Sequence, residues 1–518
     1  MMKNTILFLL LFLFTSGLVS QNVKTWGDQD NGTYINPILN ADYSDPDVIR
    51  VGNKYYMVCS DFHYIGMPVL ESDDMINWKI ISQVYDKFNF PEWNENKRFA
   101  GGSWAPSIRF HDNKYWIYFC TPNEGLFMSY ASDPRGPWSP LHILKAVDKW
   151  EDPCPLWDDD GQAYLGRSQW GAGPIIIHKM SSDGKTLLDE GKTVYTGPVA
   201  EGTKFYKKDG FYYISIPEGG VEVGWQTILR SKNIYGPYEK KVVLETGSTD
   251  INGPHQGALV ETPEGELWFY HFQFTQPLGR VLHLQPAHWS NGWPVIGVDI
   301  DMNGIGEPVK TWTKPNVGNT FKIVIPQTSD EFSTEKLGLQ WQFNHNPHNE
   351  GWALNKVKGK LTIKALQSGD MKNSHNMITQ KTMGYLSEVV TKMDFDKITE
   401  GHHSGLLCSG NIFNGVGVLR ENGINYIYLE LNGECKKFDQ IKSTTIYLKA
   451  TLDNIKNSHQ LYYSLNNKDY MPLGDPYSLK FGSWKGSRIG LYSYNLHSDS
   501  GEASFDWFRY ECDGPITK

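Results

Sequence analysis

Short apolar runs separated by clusters of turn residues dominate this sequence. Aromatic and β-branched residues recur in brief stretches bounded by Gly, Asp, Asn and Pro, whereas helical spacing of apolar residues is scarce. Runs of this length and composition are typical of β-strands. The pattern therefore predicts an all-β protein.

A turn followed by an aromatic strand recurs five times in the first part of the chain. The five copies read GNKYYMVCSD, DNKYWIYFCT, DGQAYLGRSQ, DGFYYISIPE and EGELWFYHFQ. Their spacing of roughly 50 residues is typical of β-propeller blades, each of which contains several strands. The repeat predicts a five-bladed β-propeller over residues 30–310.

The pattern changes beyond residue 310. A connector leads into strands that lack the blade repeat, such as GKLTIKAL, INYIYLELNG and ASFDWFRY. Alternating polarity is expected of strands that bury one face against a second sheet. Residues 330–515 are therefore predicted to form a β-sandwich (jelly-roll) domain after the propeller.

The extreme N-terminus belongs to neither domain. A single lysine precedes the apolar run ILFLLLFLF, and small residues follow it. This run is shorter than the ~20 residues that span a bilayer, and its flanks are those of a secretory signal. We predict that residues 1–20 are a signal peptide. The mature protein would then be periplasmic or extracellular, without a membrane anchor.

Charge and cysteine content narrow the classes of partner. The net charge of −9 argues against nucleic acid and anionic membranes. The six cysteines show no C-x-x-C spacing, and no cluster of His and Cys has the spacing of zinc ligands. No cofactor is therefore expected to be required.

The candidate chemistry lies just upstream of each aromatic repeat. When the five segments are aligned on the following strand, their heads present Asp45, Trp104, Asp152, Glu201 and His255. Because innermost propeller strands surround the central axis, these side chains are expected to converge on one pocket. Several carboxylates in a poorly hydrated pocket destabilise one another unless they have a task.

Glycoside hydrolysis is the task that suits such carboxylates. It needs one carboxylic acid with a raised pKa to protonate the leaving oxygen, and one carboxylate to activate water. A third carboxylate nearby can hold the pKa of the acid up by repulsion. An aromatic ring such as that of Trp104 would form a wall of the sugar subsite.

The same segments resemble the family 43 glycoside hydrolases, which include β-xylosidases and α-L-arabinofuranosidases. The resemblance rests on the ordered set DPDVIRVGNKYYM, WAPSIRFHDNKYWIY, EDPCPLWDDDGQAYL, EGTKFYKKDGFYYI and GRVLHLQPAHW. Two C-terminal segments, SDEFS and FDWFRY, resemble the concanavalin-like sandwich that many members carry. The resemblance implies that Asp45 is the general base, Glu201 the general acid and Asp152 the modulator of the acid's pKa.

The resemblance also implies residues that contact substrate. Besides Trp104, these are Arg280, His255 in the central channel, and Phe62 at a hydrophobic subsite wall. Three of these four residues have a structural alternative, which for Trp104 is a core ring, for Arg280 a salt bridge to Asp152 or Glu201, and for His255 a buried structural histidine.

Three further acids are expected to have structural roles. Asp47 is expected to be a structural neighbour of Asp45 that faces away from the sugar. Asp330 and Asp506 resemble positions near a structural calcium in such sandwiches, and their alternative is that of ordinary turn acids.

The predicted function is that of an inverting exo-glycosidase. It would release terminal α-L-arabinofuranosyl and/or β-D-xylosyl residues from hemicellulose oligosaccharides of the plant cell wall, derived from arabinoxylan or xyloglucan. One alternative is a retaining fructofuranosidase-like hydrolase, whose expected Asn-Asp-Pro-Asn-Gly motif is absent. Another is a catalytically silent carbohydrate-binding protein, in which a replaced carboxylate would be expected, whereas all three are present.

Overall fold

The regular structure of this protein is almost entirely β-strand. A computed structural model describes residues 26–355 and 359–515, so the predicted signal peptide, residues 1–20, lies outside the described residues. Within these ranges the helical elements are one α-helical turn, Pro91–Asn94, and one 3-10 turn, Asn349–Gly351. None of the helices in the described part is long and apolar enough to cross a membrane.

The first four blades are antiparallel sheets of four consecutive strands, which follow one another from the propeller axis outward. Blade 1 consists of Asp47–Val51, Lys54–Val58, Pro68–Ser72 and Trp78–Gln83. Blade 2 consists of Trp104–His111, Lys114–Thr121, Gly125–Ala131 and His142–Lys145. Blade 3 consists of Trp150–Trp157, Ala163–Gln169, Ile175–Met180 and Lys192–Tyr195. Blade 4 consists of Lys204–Lys208, Phe211–Glu218, Trp225–Ser231 and Glu239–Leu244.

Blade 5 closes the ring with a strand from the start of the described chain. Its strands are Leu259–Glu261, Leu267–Thr275 and Gly279–Ser290, and the outer edge is shared by Trp293–Ile296 and Leu39–Asp42. The N-terminal strand thus pairs an edge that would otherwise stay open. A small sheet of Thr33–Ile35 and Thr311–Thr313 lies beside this closure.

The C-terminal domain is a sandwich of two sheets, so the predicted propeller followed by a sandwich is confirmed. The first sheet contains Gln342–Phe343, Ile378–Lys381, Arg488–Asn495, His402–Ser409, Gly415–Glu421, Ile424–Leu431 and Glu434–Gln440, with Leu366–Gln367 beside the third of these. The second sheet contains Trp352–Asn355, Lys360–Lys364, Glu502–Cys512, Leu386–Asp394, Thr445–Asp453, Ser458–Ser464 and Met471–Tyr477.

The two sheets differ in how they are buried. In the second sheet, Thr445–Asp453 alternates between buried and half-buried residues, as expected of a strand with one face toward water. In the first sheet, every residue of His402–Ser409 and of Arg488–Asn495 is buried. The first sheet is covered on its second face because propeller residues, among them Phe99, pack against it.

A buried ion pair joins the two domains. Asp61, on the loop after the second strand of blade 1, is fully buried. Its Oδ1 lies 3.0 Å from the Lys381 ammonium and 3.4 Å from the Arg488 guanidinium, both from the first sheet of the sandwich. Backbone bonds add to the contact, for example from Ile65 N to Phe343 O at 2.9 Å. The position of this blade 1 loop is therefore set by the sandwich.

We expect Asp61→Asn to destabilise the protein far more than the same charge change at the surface. The substitution leaves Lys381 and Arg488 buried without their counter-ion, which typically costs about 3–5 kcal/mol. Glu331→Gln is the matched control, because Glu331 pairs with Arg509 at a site where both side chains are 54% exposed. Such a surface pair contributes about 0–1 kcal/mol. Urea unfolding midpoints measure both changes, and equal shifts would contradict a structural role for the buried pair.

Candidate active site

The heads of the inner strands open into a pocket of about 340 Å³ at one end of the propeller. A volume in this range suits a small ligand that is largely enclosed. The lining residues come from all five blades and from the sandwich. They are Asp45, Phe62, Trp104, Ala105, Glu151, Asp152, Trp170, Gly171, Ala172, Val199, Glu201, Val221, Gln256, Arg280 and Trp484.

The same backbone device recurs at the head of each inner strand. One residue per blade has a left-handed conformation, with φ values of 52° for Asp45, 36° for Ala105, 55° for Asp152, 62° for Gly202 and 56° for Gln256. In blades 2 and 3 the pairing register shifts at this residue. A bulge of this kind bends a strand and redirects its side chains, and it is common next to active sites.

The position of the left-handed residue differs from blade to blade relative to the residues chosen from the sequence. Asp45 and Asp152 are themselves the left-handed residues of their blades, whereas Trp104, Glu201 and His255 each precede that residue. The five residues that the sequence alignment assigns to the strand heads therefore occupy two different positions, one residue apart. Proline follows the left-handed residue in blades 1 to 3, in the tripeptides SDP, WAP and EDP, and alignment on this proline would have given the observed register.

Two partners hold the carboxylate of Asp45 in place. Ser60 Oγ donates a hydrogen bond of 2.5 Å to Asp45 Oδ2, and Arg280 Nη1 lies 3.0 Å from Asp45 Oδ1. Ser60 Oγ also accepts a bond of 2.6 Å from the amide of Ala105, so blades 1 and 2 share this contact. Arg280 thus pairs with Asp45 rather than with Asp152 or Glu201. An ion-paired carboxylate in the pocket suits a general base.

Asp152 is tied to the segment that carries Glu201. The Ser168 hydroxyl donates a hydrogen bond to Asp152 Oδ2. The Gly202 amide donates another, of 2.8 Å, to the same oxygen. Gln256 Nε2 lies 3.5 Å from Asp152 Oδ1. Because Gly202 directly follows Glu201, this carboxylate anchors the backbone beside the predicted acid. Asp152 thus holds in place the backbone that carries Glu201.

Glu201 sits in an environment that favours its protonated form. Burial, followed by the negative charge of Asp152, raises the pKa of Glu201 to about 8, and the opposing effect of Arg280 is smaller. A carboxylic acid that keeps its proton at neutral pH can act as a general acid. The pocket therefore contains an ion-paired carboxylate and a protonated acid on different blades.

The pocket contains a fourth carboxyl group that was not predicted. Glu151 is only 7% exposed, and carboxylate oxygens of Glu151, Asp152 and Glu201 lie within 4.8 Å of one another. Burial and the charge of Asp152 raise the pKa of Glu151 to about 9. Successive residues of a regular strand face opposite sides, and the bulge at Asp152 allows both Glu151 and Asp152 to face the pocket.

Aromatic rings form the walls of the pocket around Trp104. The ring of Trp104 lies 5.7 Å from Phe62, 5.7 Å from Trp170 and 6.2 Å from Trp484, measured between ring centroids. Trp484 belongs to the sandwich, on the loop before the strand Arg488–Asn495. The predicted walls at Phe62 and Trp104 are therefore present, and Trp170 and Trp484, which the sequence did not reveal, complete them.

His255 and Asp47 lie outside the pocket. His255 is fully buried, and its Nδ1 lies 2.6 Å from the Gly253 carbonyl oxygen. Burial lowers the pKa of His255 to about 3, so the ring is neutral. Gln256 lines the pocket in its place, which favours the structural alternative for His255.

Asp47 connects two blades and faces away from the pocket. The Arg109 guanidinium lies 2.6 Å from Asp47 Oδ2, which also accepts a hydrogen bond of 2.8 Å from the amide of Ile108. Both partners belong to the inner strand of blade 2. Asp47 thus has the structural role expected of it.

The two acids considered for calcium have other partners. Asp330 accepts hydrogen bonds of 2.8 Å from the amide of Phe332 and 2.9 Å from Trp341 Nε1. Asp506 forms ion pairs with the ammonium groups of Lys360 and Lys392. Calcium prefers several oxygen ligands, and a site already neutralised by two lysines does not fit it. The arrangement favours the turn-acid alternative for Asp330, whereas Asp506 is an ion-paired acid within the strand Glu502–Cys512.

A five-bladed propeller that brings an ion-paired carboxylate and a protonated carboxylic acid to one aromatic-walled pocket has the groups that glycoside hydrolysis requires. Comparison with known families gives the same class in finer detail. Residues 34–294 match the model of the glycosyl hydrolases family 43, and residues 329–511 match the β-xylosidase C-terminal concanavalin A-like domain. The chain belongs to glycosyl hydrolase family 43, as its motifs predicted. Enzymes of this family are generally independent of cofactors.

Individual relatives cover nearly the whole chain. A putative β-xylosidase of Xylanibacter ruminicola is 57% identical over 93% of this chain and 90% of its own length. A non-reducing end α-L-arabinofuranosidase of Bacteroides ovatus is 28% identical over 99% of this chain and all of its own length (100%). A bifunctional family 43 protein of Bacteroides eggerthii has a solved structure with a TM-score of 0.82 and 27% identity, and the match covers 93% of this chain and 64% of that one.

We expect Asp152→Asn to shift the alkaline limb of the pH–rate profile to lower pH. As the predicted general acid, Glu201 would act in its protonated form, so activity should be lost as the pH rises through its pKa of about 8. Removing the neighbouring negative charge lowers that pKa, and the loss then begins at lower pH. The measurement is kcat/KM as a function of pH. Glu222→Gln, an exposed acid outside the pocket lining, is the control, and an unshifted limb in Asp152→Asn would contradict the modulator role.

Proposed function

We propose that this protein is an inverting, exo-acting glycosidase that removes terminal β-D-xylosyl and/or α-L-arabinofuranosyl residues from hemicellulose oligosaccharides. The observation that carries the proposal is the pairing of environments in the pocket: Asp45 bears a cationic partner, Arg280, while burial and Asp152 keep Glu201 protonated. Membership of a family that is inverting and exo-acting supports it further.

The reaction follows from the two carboxyl groups. Asp45 removes a proton from a water molecule, whose oxygen forms a bond to the anomeric carbon of the terminal sugar. The bond from that carbon to the glycosidic oxygen breaks, and Glu201 donates its proton to the departing oxygen. Water attacks the face opposite the leaving group, so the released sugar has inverted configuration. Asp152 holds Glu201 protonated and in place.

The shape of the pocket supports removal of terminal sugars. The loop of the sandwich that carries Trp484 forms part of the wall, and residues of all five blades line the rest of the cavity of about 340 Å³. An enclosed pocket accepts a chain end more readily than the middle of a polymer. Oligosaccharides from arabinoxylan or xyloglucan of the plant cell wall are the proposed substrates.

The names of the relatives favour β-xylosyl over α-L-arabinofuranosyl groups as the main substrates. The relative at 57% identity is named a putative β-xylosidase, whereas the α-L-arabinofuranosidase is 28% identical. Two other interpretations of the sequence have less support. The family match disfavours a retaining fructofuranosidase-like hydrolase, and the three intact carboxyl groups at one pocket disfavour a catalytically silent binding protein.

The product anomer and the preferred glycoside test this proposal. The substrates are the nitrophenyl β-D-xyloside and α-L-arabinofuranoside, and the oligosaccharides of xylan, arabinoxylan and xyloglucan, with the reducing sugar followed by NMR. We expect release of single terminal sugars, with α-xylose as the first anomer formed from β-xylosides. Glu201→Gln should reduce turnover of oligosaccharides by about 10²–10⁴-fold, because their leaving groups need protonation. Initial formation of β-xylose from β-xylosides would overturn the inverting mechanism.

We also propose that the protein is exported, to the periplasm or the extracellular space. The support is the apolar N-terminal run and its flanks in the sequence. When the full chain is produced in a Gram-negative bacterium, we expect activity outside the cytoplasm and a mature N-terminus near Gln21, determined by mass spectrometry. A chain that lacks residues 1–20 is the control and should remain in the cytoplasm. Retention of the intact N-terminus in the cytoplasm would contradict export.

A further inference from the structure

Glu151 has no part in the reaction described above, although it lies in the same pocket. Within the blade repeat it occupies the position of Glu201, since each of these glutamates directly precedes the left-handed residue of its blade, Asp152 and Gly202 respectively. Both glutamates line the pocket. The fold thus presents Glu151 to a bound ligand in the same manner as it presents the predicted acid.

In the described residues, the carboxyl group of Glu151 lacks partners of the kind that the carboxylates of Asp45 and Asp152 have. Asp45 has Ser60 and Arg280, and Asp152 has Ser168 and Gly202. In the described residues, no hydrogen bond or ion pair of that kind reaches the Glu151 side chain, which instead faces the charges of nearby acids. A carboxyl group that faces the pocket without such a partner is available to hydrogen-bond a ligand there.

The chemistry of this group suits a sugar hydroxyl. Burial and the charge of Asp152 raise the pKa of Glu151 to about 9, so the group is neutral at pH 7. A protonated carboxyl group has one O–H donor and an acceptor oxygen, and a hydroxyl also donates and accepts. A neutral group can bind such a partner without placing a second negative charge beside that of Asp152.

The position of Glu151 indicates which side of the bond it serves. Blade 3 lies between Trp104 of blade 2 and Glu201 of blade 4, and Glu201 must reach the leaving oxygen. Trp170 follows the second strand of blade 3, and its amide donates a bond of 2.8 Å to the Lys149 carbonyl, two residues before Glu151. The Trp170 ring is 48% exposed and lines the pocket beside Trp104, so it stands at the rim.

We propose that Glu151 is a specificity-determining residue whose carboxyl group hydrogen-bonds a hydroxyl of the leaving-group sugar, between Glu201 and the ring of Trp170. This inference rests on the proposed glycosidase function and names a further contact in the same pocket. It accounts for a carboxyl group that neither the base nor the acid role requires. It also distinguishes sugar leaving groups from aryl leaving groups, which lack hydroxyls at that place.

The test compares Glu151→Gln and Glu151→Ala on xylobiose and on nitrophenyl β-D-xyloside. Gln retains a donor and an acceptor without charge, so kcat/KM on xylobiose should stay within about threefold of the parent. Ala removes both, and kcat/KM on xylobiose should fall by about tenfold, mainly through KM. The nitrophenyl substrate should change by less than about threefold in either variant. Glu222→Gln, an exposed acid, is the charge-matched control.

The pH profile separates substrate contact from a purely electrostatic role. If Glu151 is already neutral, Glu151→Gln leaves the alkaline limb where it is in the parent. A limb displaced to lower pH would show that a charged Glu151 sustains the pKa of Glu201, and would overturn the proposal. Equal losses on both substrates in both variants would make Glu151 a part of the acid machinery, which overturns it as well. Unchanged xylobiose kinetics in Glu151→Ala would also do so.

A binding experiment keeps this test independent of turnover. Calorimetric titration of xylobiose into Glu201→Gln, with and without Glu151→Ala, should show about tenfold weaker binding in the double variant. An inactive parent protein would refute the proposed function, whereas equal binding by the two variants would refute the role of Glu151. If Glu151→Ala lowers the thermal midpoint, Glu151→Met replaces it, because Met fills the volume without donating or accepting a comparable bond.

Discussion

The buried contact between Asp61 and two cations of the sandwich is the interaction on which the pocket depends. Asp61 lies between two residues of the site, Ser60 and Phe62. Ser60 holds the carboxylate of Asp45 and the amide of Ala105, and Phe62 packs against Trp104. Because Lys381 and Arg488 fix Asp61 at low dielectric, they also fix the loop that orients the base and one pocket wall. The sandwich is thereby a structural part of the site, and its Trp484 extends the same wall.

A repeated backbone conformation converts the propeller axis into a pocket. A left-handed residue at the head of each inner strand bends that strand, so that the side chains beside the bend face the axis. Non-glycine residues adopt this conformation at a cost, and Asp tolerates it better than most residues. In blades 1 and 3 the bend residue is itself a carboxylate, while in blades 2 and 4 the preceding residue faces the pocket. The same device therefore delivers different chemistry from blade to blade.

Environment rather than residue type separates the acid from the base. Asp45 faces the guanidinium of Arg280 and the hydroxyl of Ser60. Glu201 and Glu151 face other acids in a buried place, which favours the proton-bearing form of each. One pocket thus contains both an ion-paired carboxylate and a protonated carboxylic acid at neutral pH. Asp152 contributes twice, because its charge acts on Glu201 while its hydrogen bond to Gly202 holds the adjacent backbone.

The sequence by itself determined the all-β class, the five blades and the three acids at the inner strand heads, because turn chemistry, strand composition and period are local properties. The tertiary structure decided which residue at the head of each inner strand faces the propeller axis. A bulge displaces the side-chain register by one residue, which brings Glu151 into the pocket and places Gln256 there instead of His255. It also decided the contacts of Trp484 with Trp104 and of Asp61 with Lys381, since residues more than 300 positions apart meet only when both domains are packed. The tertiary structure also decided the partners of the two acids considered for calcium. Trp341, which bonds to Asp330, and the two lysines that pair with Asp506 lie on other parts of the sandwich.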